Sequence, residues 1–170
     1  GTMSVGKTTL VNALKELEQF KDYNFATERS QHLMSLGIPL NTDSTLKGQT
    51  VFLAERCGEL MHDNIITDRT ILDVMAFTMN AKSIPHQDKE AFETYASEFI
   101  REYDYIFYIS PHGIEIEDNG IRETDEHYRD LIDFTITTLI KRHGHKAGKI
   151  EKISGSTKER IQQILNVTKF

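Results

Sequence analysis

The first nine residues, Gly1-Thr2-Met3-Ser4-Val5-Gly6-Lys7-Thr8-Thr9, constrain this chain more than any other stretch. They meet the template G-x-x-x-x-G-K-[ST] at every fixed position. Leu10, Val11, Leu14 and Leu17 follow at helical spacing, so Lys7 to about Gln19 reads as a helix. Gly1 and Gly6 permit backbone angles that turn successive N–H groups of the loop into one concavity, and the helix adds its positive N-terminal end. Gly1, Ser4, Val5, Gly6, Lys7, Thr8 and Thr9 are therefore candidate phosphate-holding residues. Lys7 supplies a point charge for β and γ phosphates, and Thr8 a hydroxyl for Mg²⁺. The plainer alternative is a Gly-Ser-Thr turn that caps a helix. Such a loop normally hangs from a buried strand, and here the sequence opens on the first glycine without an initiator methionine. The expectation is that residues carrying that strand lie upstream.

Behind the loop, strand and helix alternate. Tyr23–Thr27, Asn64–Asp68, Tyr105–Ile109 and Lys149–Ile153 read as short buried strands. Helices are expected over Gln31–Leu36, Leu46–His62, Ile71–Asn80, Lys89–Glu102 and from about Tyr128 to Gly144. A last one follows Ser156-Thr157-Lys158-Glu159, which has the form of a capping box. Alternation of this kind predicts an α/β fold: a central parallel sheet covered by helices on both faces, in a single domain over 1–170. Ligands in such sheets sit at the carboxyl ends of the strands, where the Gly-rich loop, Glu28 and Asp68 all fall.

Composition narrows the function classes. The chain has 170 residues, 38% hydrophobic and 27% charged, and its apolar runs are too short to span a membrane or form a secretory segment. One cysteine, Cys57, cannot form an intramolecular bridge and points to a reducing compartment, hence the cytoplasm, or the host cytoplasm for a viral protein. A net charge of −6 disfavours DNA as a partner without excluding a local basic groove.

Asp68 ends an apolar strand, where a carboxylate can hold Mg²⁺ through water or take a proton from an attacking hydroxyl. Arg69 beside it has the fork geometry for phosphate. The structural alternative is that Asp68 caps the helix starting near Ile71. Glu28 and Arg29 close the preceding strand: Glu28 either faces an acceptor hydroxyl or forms a solvated pair with Arg29. Asp118-Asn119-Gly120-Ile121-Arg122, within a lid-like loop at about 112–125, could bring Arg122 over transferring phosphates, as could Arg129 on the next helix. The acidic crowding of that loop equally suits a solvated surface. Gln49 reads as an exposed amide that could recognise a base. His143 and His145 read as a helix end rather than as metal ligands, and Cys57 as a small hydrophobe in a helix.

The phosphate loop, Asp68-Arg69-Thr70 and Asp118-Asn119-Gly120-Ile121-Arg122 occur in the order found in P-loop nucleoside and nucleotide kinases. The chain resembles the branch that includes thymidylate-kinase-like proteins and the ribosylnicotinamide kinase domain, over nearly its whole length. The resemblance implies a three-layer P-loop NTPase fold that uses ATP and Mg²⁺, the metal near Thr8 and Asp68. It puts Glu28 where deoxynucleoside kinases keep a catalytic glutamate and Arg122 where a lid arginine meets ATP phosphates. Adenine would lie near Ser154-Gly155-Ser156. Thr70 stands where thymidylate kinases have an aromatic residue, so the acceptor is left open among nucleosides, monophosphates and ribosyl-pyridines. Related viral kinases act on a modified base in DNA. The expected activity is thus transfer of a γ-phosphoryl group, with Lys7, Glu28, Asp68, Arg69 and Arg122 as its chemical residues and a homodimer admissible. The competing class is a P-loop switch or motor that hydrolyses nucleotide to move a partner protein; the Asn-Lys-x-Asp guanine signature is not in the sequence.

Overall fold

The computed structural model describes residues 1–27, 35, 37–112, 114 and 126–170. The expected helix over Gln31–Leu36 and most of the expected lid-like loop at 112–125 lie outside the described residues.

The chain begins with the Gly-rich loop and α1 (Lys7–Lys15), whose apolar face buries Leu10, Val11 and Leu14. This helix stops before the expected Gln19 because a 3₁₀ turn at Glu18–Phe20 tucks Phe20 into the core. Then come β1 (Asn24–Ala26), α2 (Leu46–Glu59), β2 (Ile65–Thr67), α3 (Ile71–Asn80) and α4 (His86–Ala96). The order closes with β3 (Tyr105–Ile109), α5 (Glu126–His143), β4 (Lys149–Ile153) and α6 (Thr157–Thr168). Helix α4 starts three residues earlier than the apolar periodicity suggests, directly after Pro85, which suits the start of a helix but not its interior. Its expected last turn is instead a 3₁₀ stretch, Ser97–Glu102, that buries Ile100.

All four expected strands form, and they pair in parallel as two ribbons. Phe25 pairs with Ile66 in the β1–β2 ribbon, and Phe107 with Glu151 in the β3–β4 ribbon. Parallel neighbours need a crossover, and α2 and α5 supply one to each ribbon. Among the described residues, no strand joins β2 to β3. A cavity of about 800 Å³ lies there instead, lined by every residue of both strands and by none of β1 or β4. The parallel strands expected from the sequence thus form, with the cavity and Gly1 between the two ribbons.

Apolar residues gather in two clusters. Around α3, Ile71, Leu72 and Met75 meet Ile132, Ile136 and Leu139 of α5 together with Ile106 and Tyr108 of β3. Helix α3 is buried almost all round, as a helix at the centre of a fold must be. The second cluster joins Val5 of the Gly-rich loop to Leu10, Leu14, Phe20, Ile109, Ile153 and Ile164. It fastens the loop between the ends of β3 and β4 and the flanking helices. No described helix is long and apolar enough to cross a membrane.

Candidate active site

The Gly-rich loop is built from unusual backbone. Ser4 and Gly6 both have positive φ, 57° and 77°, and Gly6 is the N-cap of α1. Gly6 tolerates this because it lacks a Cβ. Gly1 is needed for another reason: a Cβ there would stand 2.4 Å from the Ile109 carbonyl oxygen. The end of β3 and the start of the loop are thus in direct backbone contact. The Lys7 ammonium reaches back across the turn and donates to the Gly1 carbonyl at 2.8 Å and to that of Thr2. Its charge therefore sits over the concavity formed by its own loop.

Thr8, one residue into α1, points at β2. Its hydroxyl donates to Asp68 Oδ2 at 2.7 Å. Asp68 is 5% exposed, and its other oxygen, Oδ1, is buried without a hydrogen-bond partner. A carboxylate oxygen left so is costly unless something binds it. The alternative role of Asp68 as a helix cap falls to other residues. Thr70 is the N-cap of α3, and Asp73 returns the bond, accepting from the Thr70 N–H at 2.8 Å. Asp73 is itself buried, with Oδ1 3.6 Å from the Gly1 nitrogen, so the cap of α3 lies under the start of the loop. Arg69 stacks its guanidinium over Phe77, 5.4 Å from the ring centre.

The segment after β4 is also close to the loop. Gly155 has φ +90°, and a Cβ there would meet the Glu159 carboxylate at 2.5 Å. Ser156 and Glu159 form the expected capping box: the Ser156 N–H donates to Glu159 at 2.7 Å. Ser154 is tied to the same helix, its carbonyl accepting from Gln163 Nε2 at 2.8 Å. One turn into α6, Arg160 Nη1 donates to the Val5 carbonyl at 2.7 Å. Neither Arg160 nor Asp73 is apparent as a site residue in the sequence. Thr70-x-x-Asp73 has a capping-box pattern that could have marked the second, but no linear pattern aims Arg160 at a residue 155 positions away.

Lys7, Thr8, Asp68 and the backbone of Gly1–Thr9 are thus brought together, with Ser154 and Gly155 linked to them through α6. Glu28, Arg29, Asp118, Asn119, Gly120, Ile121 and Arg122 lie outside the described residues. Arg129 is buried and donates to the Ile114 carbonyl at 2.6 Å. Gln49 departs from expectation: it is only 3% exposed, on the face of α2 that also buries Gly48, Leu53 and Arg56. Sequence periodicity gave no warning, because that face mixes polar with apolar residues. His143 ends α5, as expected, and bonds Glu93 at 2.8 Å. Cys57 is half-buried against the α3 cluster, which raises its thiol pKa through desolvation. No described group of three or more His, Cys, Asp or Glu side chains could hold a metal ion.

Residues 1–160 match the family profile described as an AAA domain. The chain belongs to the AAA domain family. No curated protein matches it significantly in sequence. Among solved structures, this AAA domain is similar to deoxyadenosine kinase from M. mycoides with bound dCTP. That match has a TM-score of 0.68 and 18% identity, covering 99% of this chain and 96% of that one. The same enzyme with the products dCMP and a flexible dCDP matches with TM-score 0.67 and 18% identity, over 99% and 95% of the two chains. At this identity the likeness establishes the fold: a mixed α/β, nucleotide-kinase-like arrangement with parallel strands. Neither comparison singles out the thymidylate-kinase-like branch.

Proposed function

We propose that this AAA domain is an ATP-dependent phosphotransferase acting on a nucleoside or nucleotide. The bond from Thr8 to Asp68, 2.7 Å long, carries the reading. It joins a phosphate-type loop to a carboxylate at the carboxyl end of a parallel strand, where open α/β sheets take their ligands. The fold shared with a deoxyadenosine kinase favours a small nucleoside-type acceptor over a protein partner.

The residues present fit Mg²⁺, which prefers oxygen ligands and keeps several waters. Thr8 offers a hydroxyl, and Asp68 has a buried oxygen with no hydrogen-bond partner. These two would hold the ion, which when bound neutralises charge between β and γ phosphates. The loop N–H groups and Lys7 would bind the phosphates. In the transfer, an acceptor oxygen forms a bond to the γ phosphorus as the bond to the β–γ bridging oxygen breaks and ADP leaves. The acceptor proton passes to a carboxylate, Asp68 or Glu28. Arg122 would close over the phosphates, Arg69 would steady the acceptor side, and Ser154 and Gly155 would border the adenine. Positioning and electrostatics would supply the rate, since phosphoryl transfer asks little covalent chemistry of the protein.

The deciding assay supplies ATP labelled in the γ phosphate with a panel of nucleosides, monophosphates, ribosyl-pyridines and DNA containing modified bases. Label on a small acceptor supports the proposal; label on DNA would move the acceptor class. Release of free phosphate alone, stimulated by a protein, overturns it in favour of a P-loop switch or motor. Lys7→Ala should lower either activity by about a hundredfold or more.

A further inference from the structure

A nest for phosphate needs its N–H groups turned inward, and in a trans peptide the carbonyl and the next N–H point in opposite directions. Fixing a loop carbonyl outward therefore fixes the following N–H inward. One loop carbonyl is held locally, that of Gly6, which accepts from the Leu10 N–H at 3.0 Å, while those of Gly1 and Thr2 turn toward the Lys7 ammonium. The Val5 carbonyl is held from the other end of the chain, by Arg160 Nη1 at 2.7 Å. The peptide concerned, Val5–Gly6, lies between two residues of positive φ, Ser4 and Gly6, where the loop has most need of an external restraint.

Arg160 is itself firmly placed. It is 8% exposed, it lies in the first turn of a helix closed by a capping box, and its Nε is buried without a hydrogen-bond partner. Burying a guanidinium for one carbonyl is an expensive way to stabilise a fold. The cost is better explained if the cation also contributes positive potential at the Gly6 turn, where a Cβ would meet Nη1 at 3.4 Å.

We propose that Arg160 is a positioning residue for polyphosphate: by pinning the Val5 carbonyl outward it aims the Gly6 N–H into the nest and ties phosphate affinity to the docking of α6. This rests on the phosphotransferase reading only in taking the nest to bind phosphate. Because Ser154–Ser156 lead directly into α6, the same side chain couples the strand-end loop to the phosphate loop.

The test measures binding of inorganic tripolyphosphate and of ADP by calorimetry, beside the melting temperature of the free protein, for the parent chain, Arg160→Met and Arg160→Lys. Methionine keeps the aliphatic packing and removes the donor and the charge. The expected result is a loss of tripolyphosphate and ADP affinity of about tenfold or more in Arg160→Met, with a melting temperature close to the parent's. Arg160→Lys should fall between the two. Should Arg160→Met not fold, Arg160→Lys carries the comparison, with a loss of about threefold expected. Parental affinity in the folded variant overturns the inference. So does a loss of affinity that merely tracks a loss of melting temperature, since that is what a structural role alone would give. If the parent chain binds no tripolyphosphate, the phosphate-nest reading and this inference fall together; if it binds and the variants bind equally, only the inference falls.

Discussion

The Thr8 hydroxyl and the Asp68 carboxylate, sixty residues apart in sequence, meet at 2.7 Å where α1 passes the carboxyl end of β2. Two replacements separate what each contributes. Thr8→Val removes the donor and the candidate metal ligand but keeps the shape. Asp68→Asn keeps the hydrogen-bonding site and removes the charge. Both should abolish the Mg²⁺ dependence of ADP binding, with Asp68→Asn lowering any transferase rate by about a hundredfold or more. Thr8→Ser should retain it. Titrating ADP with and without Mg²⁺ checks this, and an unchanged magnesium effect in Asp68→Asn would remove the carboxylate from the site.

Gly6→Ala should be harmful beyond its size. An L-residue at φ +77° costs about 1–2 kcal/mol, and the new methyl would lie 3.4 Å from Arg160 Nη1. That contact is an ordinary one, so the strain falls on the backbone of the loop. Nucleotide affinity should fall more steeply than the melting temperature predicts. Gly58→Ala, in α2 with open space around it, is the control and should leave affinity unaltered.

Far from the site, Glu93 of α4 accepts from Arg142 at 2.6 Å and bonds His143 at 2.8 Å, tying α4 to the end of α5. Burial pushes its carboxyl pKa up, but hydrogen bonds and charges from His143 and Arg142 outweigh that and hold it below its ordinary value. A carboxyl depressed in the folded state contributes stability above its unfolded pKa, and that contribution is lost as pH falls through the folded one. Glu93→Gln should thus cost about 1–2 kcal/mol near neutral pH, and the gap from the parent should close below about pH 4. Urea midpoints of both proteins across that range measure it; a gap that persists into acid would refute the ion-pair account.

The cavity between β2 and β3 makes a different prediction. Both strands turn an open edge toward it, and its lining mixes apolar with polar residues. About five β-branched residues joined before Gly1 should pair with both edges and raise the melting temperature by about 5 °C or more. A Gly-Ser extension of equal length is the comparison. Equal melting of the two would mean that the cavity does not accept a strand.

Much of this molecule can be read from local pattern. The four strands, the limits of α3, the capping box at Ser156 and the Gly-rich loop at Gly1–Thr9 depend on alternation, capping chemistry and glycine placement over a few neighbouring residues. The sequence states these directly. Early termination of α1, the 3₁₀ turn at Ser97–Glu102 and the burial of Gln49 follow from how helices pack, which no short window contains.

By itself the sequence determined the α/β alternation and the phosphate-type loop, because both are repeated or contiguous patterns. Tertiary structure alone decided that Asp68 turns to Thr8 while Thr70 and Asp73 cap α3, and that Arg160 reaches Val5. It also decided which strands pair, β1 with β2 and β3 with β4. The reason is physical: a side chain's partner across a parallel sheet is set by crossover and register. Those are settled by burying helix faces together, and linear spacing carries no record of them.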